Sequence, residues 1–328
     1  MGTKQYYVKD GQLVKASDQA PPKVLVGSIG DLEPIKDKLI PGTQAHTPGY
    51  ANVWELSPEK NWINKLFPEE DEIYNNLIAG RLSELNASAK SIRPYAFASF
   101  STLTKVEFPE YETISFYAFY ACYDLSEASF PKCETIGSHA FELCNLSIAS
   151  FPNCKSIYST AFARNSSLTE VYFPVCKTIS TYAFHACNNI SIIDFPECTR
   201  IEESAFNNNT SLTDVSFPKC TYIGRAAFGG CTNLSTISFP ECKFISTYAF
   251  YSCAITVASF SLCSRIGGGA FSGCNSLISL YLESTSQVMV TDNPSIPSTT
   301  NIYVPSQLLE SYQNASYWSL YSSQFVAI

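Results

Sequence analysis

Between residues 91 and 282 the apolar positions recur on a fixed grid. One series is Phe97, Phe119, Phe141, Phe162, Phe184, Phe206, Phe228, Phe250 and Phe271, each preceded by Ala and separated by steps of 21 or 22 residues. A second series keeps the same register: Phe108, Phe130, Phe151, Phe173, Phe195, Phe217, Phe239 and Phe260, closed by Leu282, and seven of its phenylalanines are followed by Pro. A self-similar period of this length predicts stacked coils, in which one unit cannot bury its own apolar face and the array buries it collectively.

The unit is complete in LTEVYFPVCKTISTYAFHAC, residues 168–187. Val171 and Phe173, two apart, point inward from one strand, so Glu170 and Tyr172 face out. Pro174 has no N–H for a ladder and ends that strand in the same way in each coil. Cys176 and Ile179 continue along the interior. Ala183 and Cys187, four apart around Phe184, have the spacing of one face of a short helical turn, which puts Tyr182 and His185 on its outer side. Coils at strand spacing, about 4.8 Å, then share an interior of Phe, Ile, Leu and Cys columns. Each buried Phe contributes roughly 1.5 to 3 kcal/mol, so the two Phe columns dominate stability.

Composition narrows the function classes. Twenty-one basic against 29 acidic residues give a net charge of -8, which disfavours nucleic acid as partner. No window approaches the ~18 consecutive apolar residues of a membrane helix, and the first 25 residues carry no apolar stretch of signal-peptide length. All 13 cysteines occupy two repeat columns. Their number is odd and no C-x-x-C pair occurs, so small buried core residues are expected and no metal site, and reduced thiols suit a reducing setting.

Catalytic chemistry is hard to assemble from what remains. The histidines are His46, His139 and His185, and the last two flank the Ala-Phe pair as tolerated surface substitutions. Gly267, Gly268 and Gly269 lie inside a repeat with no Gly-Lys-Ser or Gly-Lys-Thr following, so no phosphate loop is expected. Acidic residues are scattered rather than paired. Sequons such as Asn165-Ser166-Ser167 arise from the turn before each strand. The expectation is a non-enzyme without cofactor, monomeric, binding a protein or a glycan; an enzyme site hidden in residues 1–60 is the remaining alternative. Two sets of outward residues are candidates. An aromatic stripe on the turn comprises Tyr95, Tyr117, Tyr120, His139, Tyr182, His185, Tyr248 and Tyr251. On the strand face Tyr172, Asp194 and Tyr281 interrupt a column that is otherwise mostly serine. Exposed rings bury much area at low entropic cost, which suits gripping a partner.

The unit L-x-x-V-x-F-P-x-C-x-x-I-x-x-x-A-F-x-x-C resembles the BspA-like leucine-rich repeats over about residues 91–282, and residues 301–328 resemble their closing module. The resemblance implies a leucine-rich repeat solenoid wound as a right-handed superhelix, displayed on a bacterial or protozoan cell surface and adhering to host proteins or other cells. With the residue reading, this predicts a parallel β-sheet on one face and short helical turns on the other. Residues 61–90 are expected to form a helical N-terminal cap: Pro68 precedes Glu69, Glu70, Asp71 and Glu72 at a helix start, Ile73 and Leu77 supply its apolar side, and Gly80 its stop. Residues 283–328 form a mixed C-terminal cap, with Ser306 capping a short helix through Leu308, Leu309 and Tyr312, and with Trp318, Leu320, Phe325 and Val326 over the last coil. Residues 1–60 lack the repeat, and YYVKDGQLV reads as a hairpin on an Asp-Gly turn.

Overall fold

Each coil contributes two strands and a tight turn. The computed structural model describes Ile92, residues 94–100 and residues 103–328, together with short strands ahead of them. The wider strand, such as Glu170–Tyr172, pairs in parallel with its counterpart one coil earlier, Ile148–Ser150, with Ala149 opposite Val171 and Ser150 opposite Tyr172. After Pro174 the chain bends into a narrow strand, Thr178–Ile179. Narrow strands stack into a nine-stranded parallel sheet running from Thr113–Ile114 to Met289–Val290, with an isoleucine inward in most rungs. Strand Glu84–Asn86 already pairs with Lys105–Glu107, Leu85 opposite Val106, so the ladder begins before residue 91 on a degenerate copy of the unit.

The third side of the coil is also a ladder. Around Ala-Phe the residues four apart at Tyr182 and Ala186 are left-handed (φ 58° and 55°), and the same pair recurs at Tyr117 and Ala121, and at Tyr248 and Ser252. Within the turn Ala183 N–H donates to the Ser180 carbonyl (3.2 Å) and His185 N–H to Tyr182 (3.1 Å). Between these bonds the N–H groups of Tyr182, Phe184 and Ala186 reach the next coil, donating to Glu203, Ala205 and Asn207 at 3.0, 2.8 and 2.9 Å. A helical turn would keep its N–H groups within the coil and leave the neighbouring carbonyls buried without donors, which is costly. Left-handed residues turn alternate N–H groups sideways instead, and among the described residues no helix precedes Ser306.

Inside, the two Phe series form parallel ring stacks. Successive Ala-Phe rings lie 5.1 to 5.9 Å apart with planes within 14°. Contacts between the two series are edge to face, as for Phe162 and Phe173 at 5.8 Å and 71°, or tilted, as for Phe250 and Phe260 at 6.2 Å and 41°. All 13 cysteines are buried free thiols. Those between the wide and the narrow strand donate to the carbonyl two residues on, as Cys176 does to Thr178 (3.4 Å). Those after the turn donate to the phenylalanine carbonyl one coil earlier: Cys122 to Phe97 (2.9 Å), Cys187 to Phe162 (3.1 Å), Cys253 to Phe228 (3.0 Å). Where this column lacks cysteine, Asn165 and Asn209 supply the donor, to Phe141 (2.7 Å) and Phe184 (2.9 Å). Asn165 is therefore a buried core residue, not an exposed sequon.

At the C-terminal end side chains replace the missing next coil. Val288 N–H donates to the Tyr312 hydroxyl (2.8 Å), and Trp318 Nε1 donates to the Val288 carbonyl (2.6 Å). Gln324 Nε2 reaches the carbonyls of Pro297 and Thr300 (2.8 and 2.9 Å). The helix Leu309–Asn314 follows a short 3-10 turn, Ser306–Leu308, with Pro305 at its start, so Ser306 caps nothing through its side chain. Of the four residues expected over the last coil, Trp318 is buried and Phe325 packs against the core, but Leu320 is 64% exposed and Val326 lies outward. Tyr312 and Tyr321 take their places, because a solenoid end needs hydrogen-bonding groups as much as apolar cover. The last strand, Phe325–Ala327, adds a parallel rung to Asn301–Val304. The expected helix start at Pro68, its apolar side and its stop at Gly80, like the Asp-Gly turn of the hairpin, lie outside the described residues, whereas near the two ends of the range 61–90 Trp62–Asn64 and Glu84–Asn86 are strands and not helix; strands Gln5–Lys9 and Gln12–Ser17 pair antiparallel.

Candidate functional site

On the turn face, the aromatic stripe resolves into three clusters. Tyr95 stacks on Tyr117 (4.8 Å, 10°) and Tyr117 on His139 (4.3 Å, 5°), while Tyr120 meets Tyr117 edge to face. Thr160 then interrupts the column. Tyr182 and His185 form a second pair (5.5 Å), and after Ser204 and Ala226 come Tyr248 and Tyr251 (6.4 Å), both pairs edge to face. The first cluster is therefore a continuous stack, while in the last pair the Tyr248 and Tyr251 rings pack against Gly269 and Gly229 of the neighbouring coils.

The two repeat-column histidines are not loose surface substitutions. His139 Nδ1 lies 2.6 Å from a carboxylate oxygen of Glu142, whose other oxygen accepts from Arg164 (3.0 Å), and Glu142 is buried between them. A carboxylate is held inside the turn face only because two partners flank it. His185 is half-buried with its Nδ1 unpartnered, and burial, reinforced by the Arg164 charge, holds it below the ordinary imidazole range. Neither ring faces a nucleophile: burial raises the thiols, Cys176 and Cys187 to about 12, so they are protonated and unreactive at neutral pH. The glycine run has packing reasons. A Cβ on Gly267 would meet the Thr247 nitrogen at 2.5 Å, one on Gly268 the Asp292 side chain at 2.8 Å, and Gly269 is left-handed (φ 63°).

The wide-strand face carries its own set of exposed apolar side chains. Tyr172 is 56% exposed, and diagonal to it, in the column that holds Glu170, are two residues that the serine-column reading passed over, Ile148 at 46% and Ile192 at 60%. The three fall on consecutive coils. Asp194 lies beside them, and Glu107, Glu127, Glu170 and Asp214 project from the same face against a single cation, Lys105. Tyr281 stands apart, stacked on Tyr303 (4.5 Å).

The narrow sheet was not singled out in the sequence, although its signal is there. Its outward column reads Thr113, Thr135, Ser156, Thr178 and then switches to Arg200, Tyr222, Phe244 and Arg265, each opposite the next in register. The Arg200 guanidinium lies over the Tyr222 ring at 4.1 Å and that of Arg265 near the Phe244 ring at 5.9 Å. Among the described residues no three His, Cys, Asp or Glu side chains converge as metal ligands would, and no helix is long and apolar enough to cross a membrane.

Among known proteins, the chain is similar to a leucine-rich repeat protein from Bacteroides ovatus (21% identity, 75% of this chain and 83% of that one, TM-score 0.45). It is also similar to a leucine-rich cell surface protein from Faecalibacterium prausnitzii (19%, 86% and 93%, TM-score 0.47) and to a leucine-rich repeat protein of T. pallidum (21%, 71% and 90%, TM-score 0.41). No curated protein matches it. The family model for the BspA type leucine-rich repeat region matches residues 90–213 and 199–320, in six copies. With the period, the stacked Phe series and the parallel ladders in place, this match makes the chain a member of the BspA-type leucine-rich-repeat family.

Proposed function

We propose that this chain is a non-catalytic scaffold that binds a protein partner through its wide-strand face, in the adhesive role that the family resemblance implies. The observation that carries the reading is the patch of Ile148, Tyr172 and Ile192, three large exposed side chains on the wide strands of consecutive coils, framed by acidic residues. Clustered exposed apolar groups mark interaction sites where single ones do not, and a ring held on a rigid strand loses little entropy on binding. The acidic frame selects a partner surface with lysines or arginines around an apolar centre. Protonated buried thiols and a His139 engaged with Glu142 support the absence of catalysis.

The test is a comparison of two variants of the full chain against a partner isolated from extracellular or cell-surface material. Ile148→Asp, Tyr172→Ala and Ile192→Asp together are expected to weaken binding at least tenfold with the melting temperature preserved. Tyr117→Ala, Tyr182→Ala and Tyr248→Ala together test the turn-face stripe. If only the second set weakens binding, the contact belongs to the stripe and the strand-face reading is wrong.

A further inference from the structure

We infer that the narrow sheet, on a different side of the coil from the proposed protein-binding face, is a binding strip for a linear acidic polysaccharide. Its two outward columns from Lys155 to Arg265 contain five cations, Lys155, Lys177, Arg200, Lys243 and Arg265, and no acid. In a chain of net charge -8 this is a concentration of positive charge against the average. Lys177, Lys243 and Arg265 have no carboxylate partner among the described residues. Lys155 and Arg200 pair with Glu134 (2.7 Å) and Glu202 (2.9 Å), but these are solvent-exposed pairs, and such pairs exchange partners at little cost.

The aromatic residues decide what kind of anion fits. Tyr222 and Phe244 sit in the same column between Arg200 and Arg265, and Phe244 is 42% exposed. Arg200 already lies over the Tyr222 ring, so it is the exposed Phe244 ring, with Arg265 beside it, that accepts the C–H face of a sugar while the cations take its acid groups. Charge spacing argues against nucleic acid. Coils repeat about every 4.8 Å, so a single row of at most one cation per coil extends over roughly 24 Å. A DNA duplex carries a charge about every 1.7 Å and rewards a denser basic surface. The sparse row matches a polymer with one acid group per sugar or every second sugar.

The test uses the full chain and immobilised polygalacturonate and chondroitin sulfate, with dextran as the neutral polymer and duplex DNA as the dense polyanion. Binding to at least one acidic polysaccharide is expected, weakening as salt rises, with none to dextran and weaker binding to the duplex. Lys177→Glu, Lys243→Glu and Arg265→Glu together should reduce it at least tenfold, and Phe244→Ala severalfold with the salt dependence kept. If the triple reversal fails to fold, Lys177→Gln with Lys243→Gln serves in its place and should weaken binding severalfold. Failure to bind either polysaccharide at low salt, equal or tighter binding to the duplex, binding unmoved by the substitutions, or salt-sensitive self-association in place of polysaccharide binding would each overturn the assignment. Because Ile148, Tyr172 and Ile192 are untouched, loss of protein binding and loss of polysaccharide binding are distinguishable outcomes.

Discussion

Asn165 does with its side-chain amide what Cys187 does with its thiol one coil later: each gives a hydrogen bond to the carbonyl of a core phenylalanine in the preceding coil, Phe141 at 2.7 Å and Phe162 at 3.1 Å. The column is therefore defined by a donor, and small size alone does not describe it. A thiol is a weak donor with an apolar body, which suits a carbonyl buried beside phenylalanine rings. An amide donates more strongly but brings an oxygen that also needs a partner.

That oxygen separates the two asparagines. Asn165 Oδ1 accepts from the Leu146 N–H (3.2 Å), whereas Asn209 Oδ1 is buried without a partner. Asn209→Cys keeps a donor for Phe184 and removes the orphan oxygen, so it is expected to stabilise by about 1 kcal/mol. Asn165→Cys strands the Leu146 N–H and should destabilise by about as much. Urea unfolding of both variants measures the contrast; equal shifts of one sign would remove the donor account of the column.

The thiols also set an alkaline limit. Burial raises twelve of them, including Cys133, Cys220 and Cys263 to about 12 and Cys274 to about 11, against an ordinary value of 9.0. With the folded value above the unfolded one, the folded state binds more protons between the two, so stability is intact below pH 9 and falls as pH rises toward 12. Each such thiol contributes about 1.4 kcal/mol per pH unit in that window, and several together exceed a typical total stability of about 5 to 15 kcal/mol. Cooperative loss of β-sheet circular dichroism, with thiolate absorbance appearing in the same transition, is expected between pH 9 and 11. A folded protein at pH 11.5 would contradict it.

Much of this fold was legible because its causes are local or strictly periodic. Val171 and Phe173 two apart, with Pro174 after them, place the wide strand and its inward face without reference to any other coil, and Ile179 reads as interior, but the narrow strand Thr178–Ile179 with its own sheet was not foreseen. The Ala-Phe turn was not legible in the same way. Residues four apart, Ala183 and Cys187, share a face in a helical turn and also in a turn with left-handed Tyr182 and Ala186, and what decides is the carbonyls of Glu203 and Asn207 waiting in the next coil. The candidate surfaces divide similarly. Tyr172 and Asp194 stood out against serine, but Ile148 and Ile192 lie in the neighbouring column with Glu170, which was not read; their neighbours Ala149 and Ile193 supply the inward side chains and leave them outward. Glu142 could not be placed at all from its own coil, since the Arg164 that allows its burial lies 22 residues away.

Left-handed geometry carries a cost that one residue bears more than the rest. Thr160 has φ 60° with a β-branched side chain, the combination least tolerated in that region, while the equivalent position in a later coil is Gly269 at φ 63°. Thr160→Gly relieves roughly 1 kcal/mol of strain, less the entropy glycine regains on unfolding, and is expected to leave stability unchanged or slightly higher. Thr160→Val, equally branched, should not raise it. A drop of several degrees in melting temperature for the glycine variant would show that Thr160 makes a contact more valuable than the strain it carries.

The C-terminal cap allows a test of how a solenoid ends. The Tyr312 hydroxyl is the acceptor for the Val288 N–H, and burial raises that hydroxyl to about 12, so it stays neutral and available across the physiological range. Tyr312→Phe keeps the ring against Trp318 and Phe325 but leaves a buried N–H without an acceptor, a cost of about 1 to 3 kcal/mol. In a stacked array such a loss is felt first by the neighbouring rungs, because each coil is stabilised by its own packing and by the coils it touches. Hydrogen exchange should therefore accelerate at Met289–Val290 and Arg265–Ile266 while Thr113–Ile114, at the far end of the same sheet, keeps its protection. Uniform acceleration along all nine narrow strands would instead mean that the array opens as one cooperative unit and that the cap acts on the whole of it.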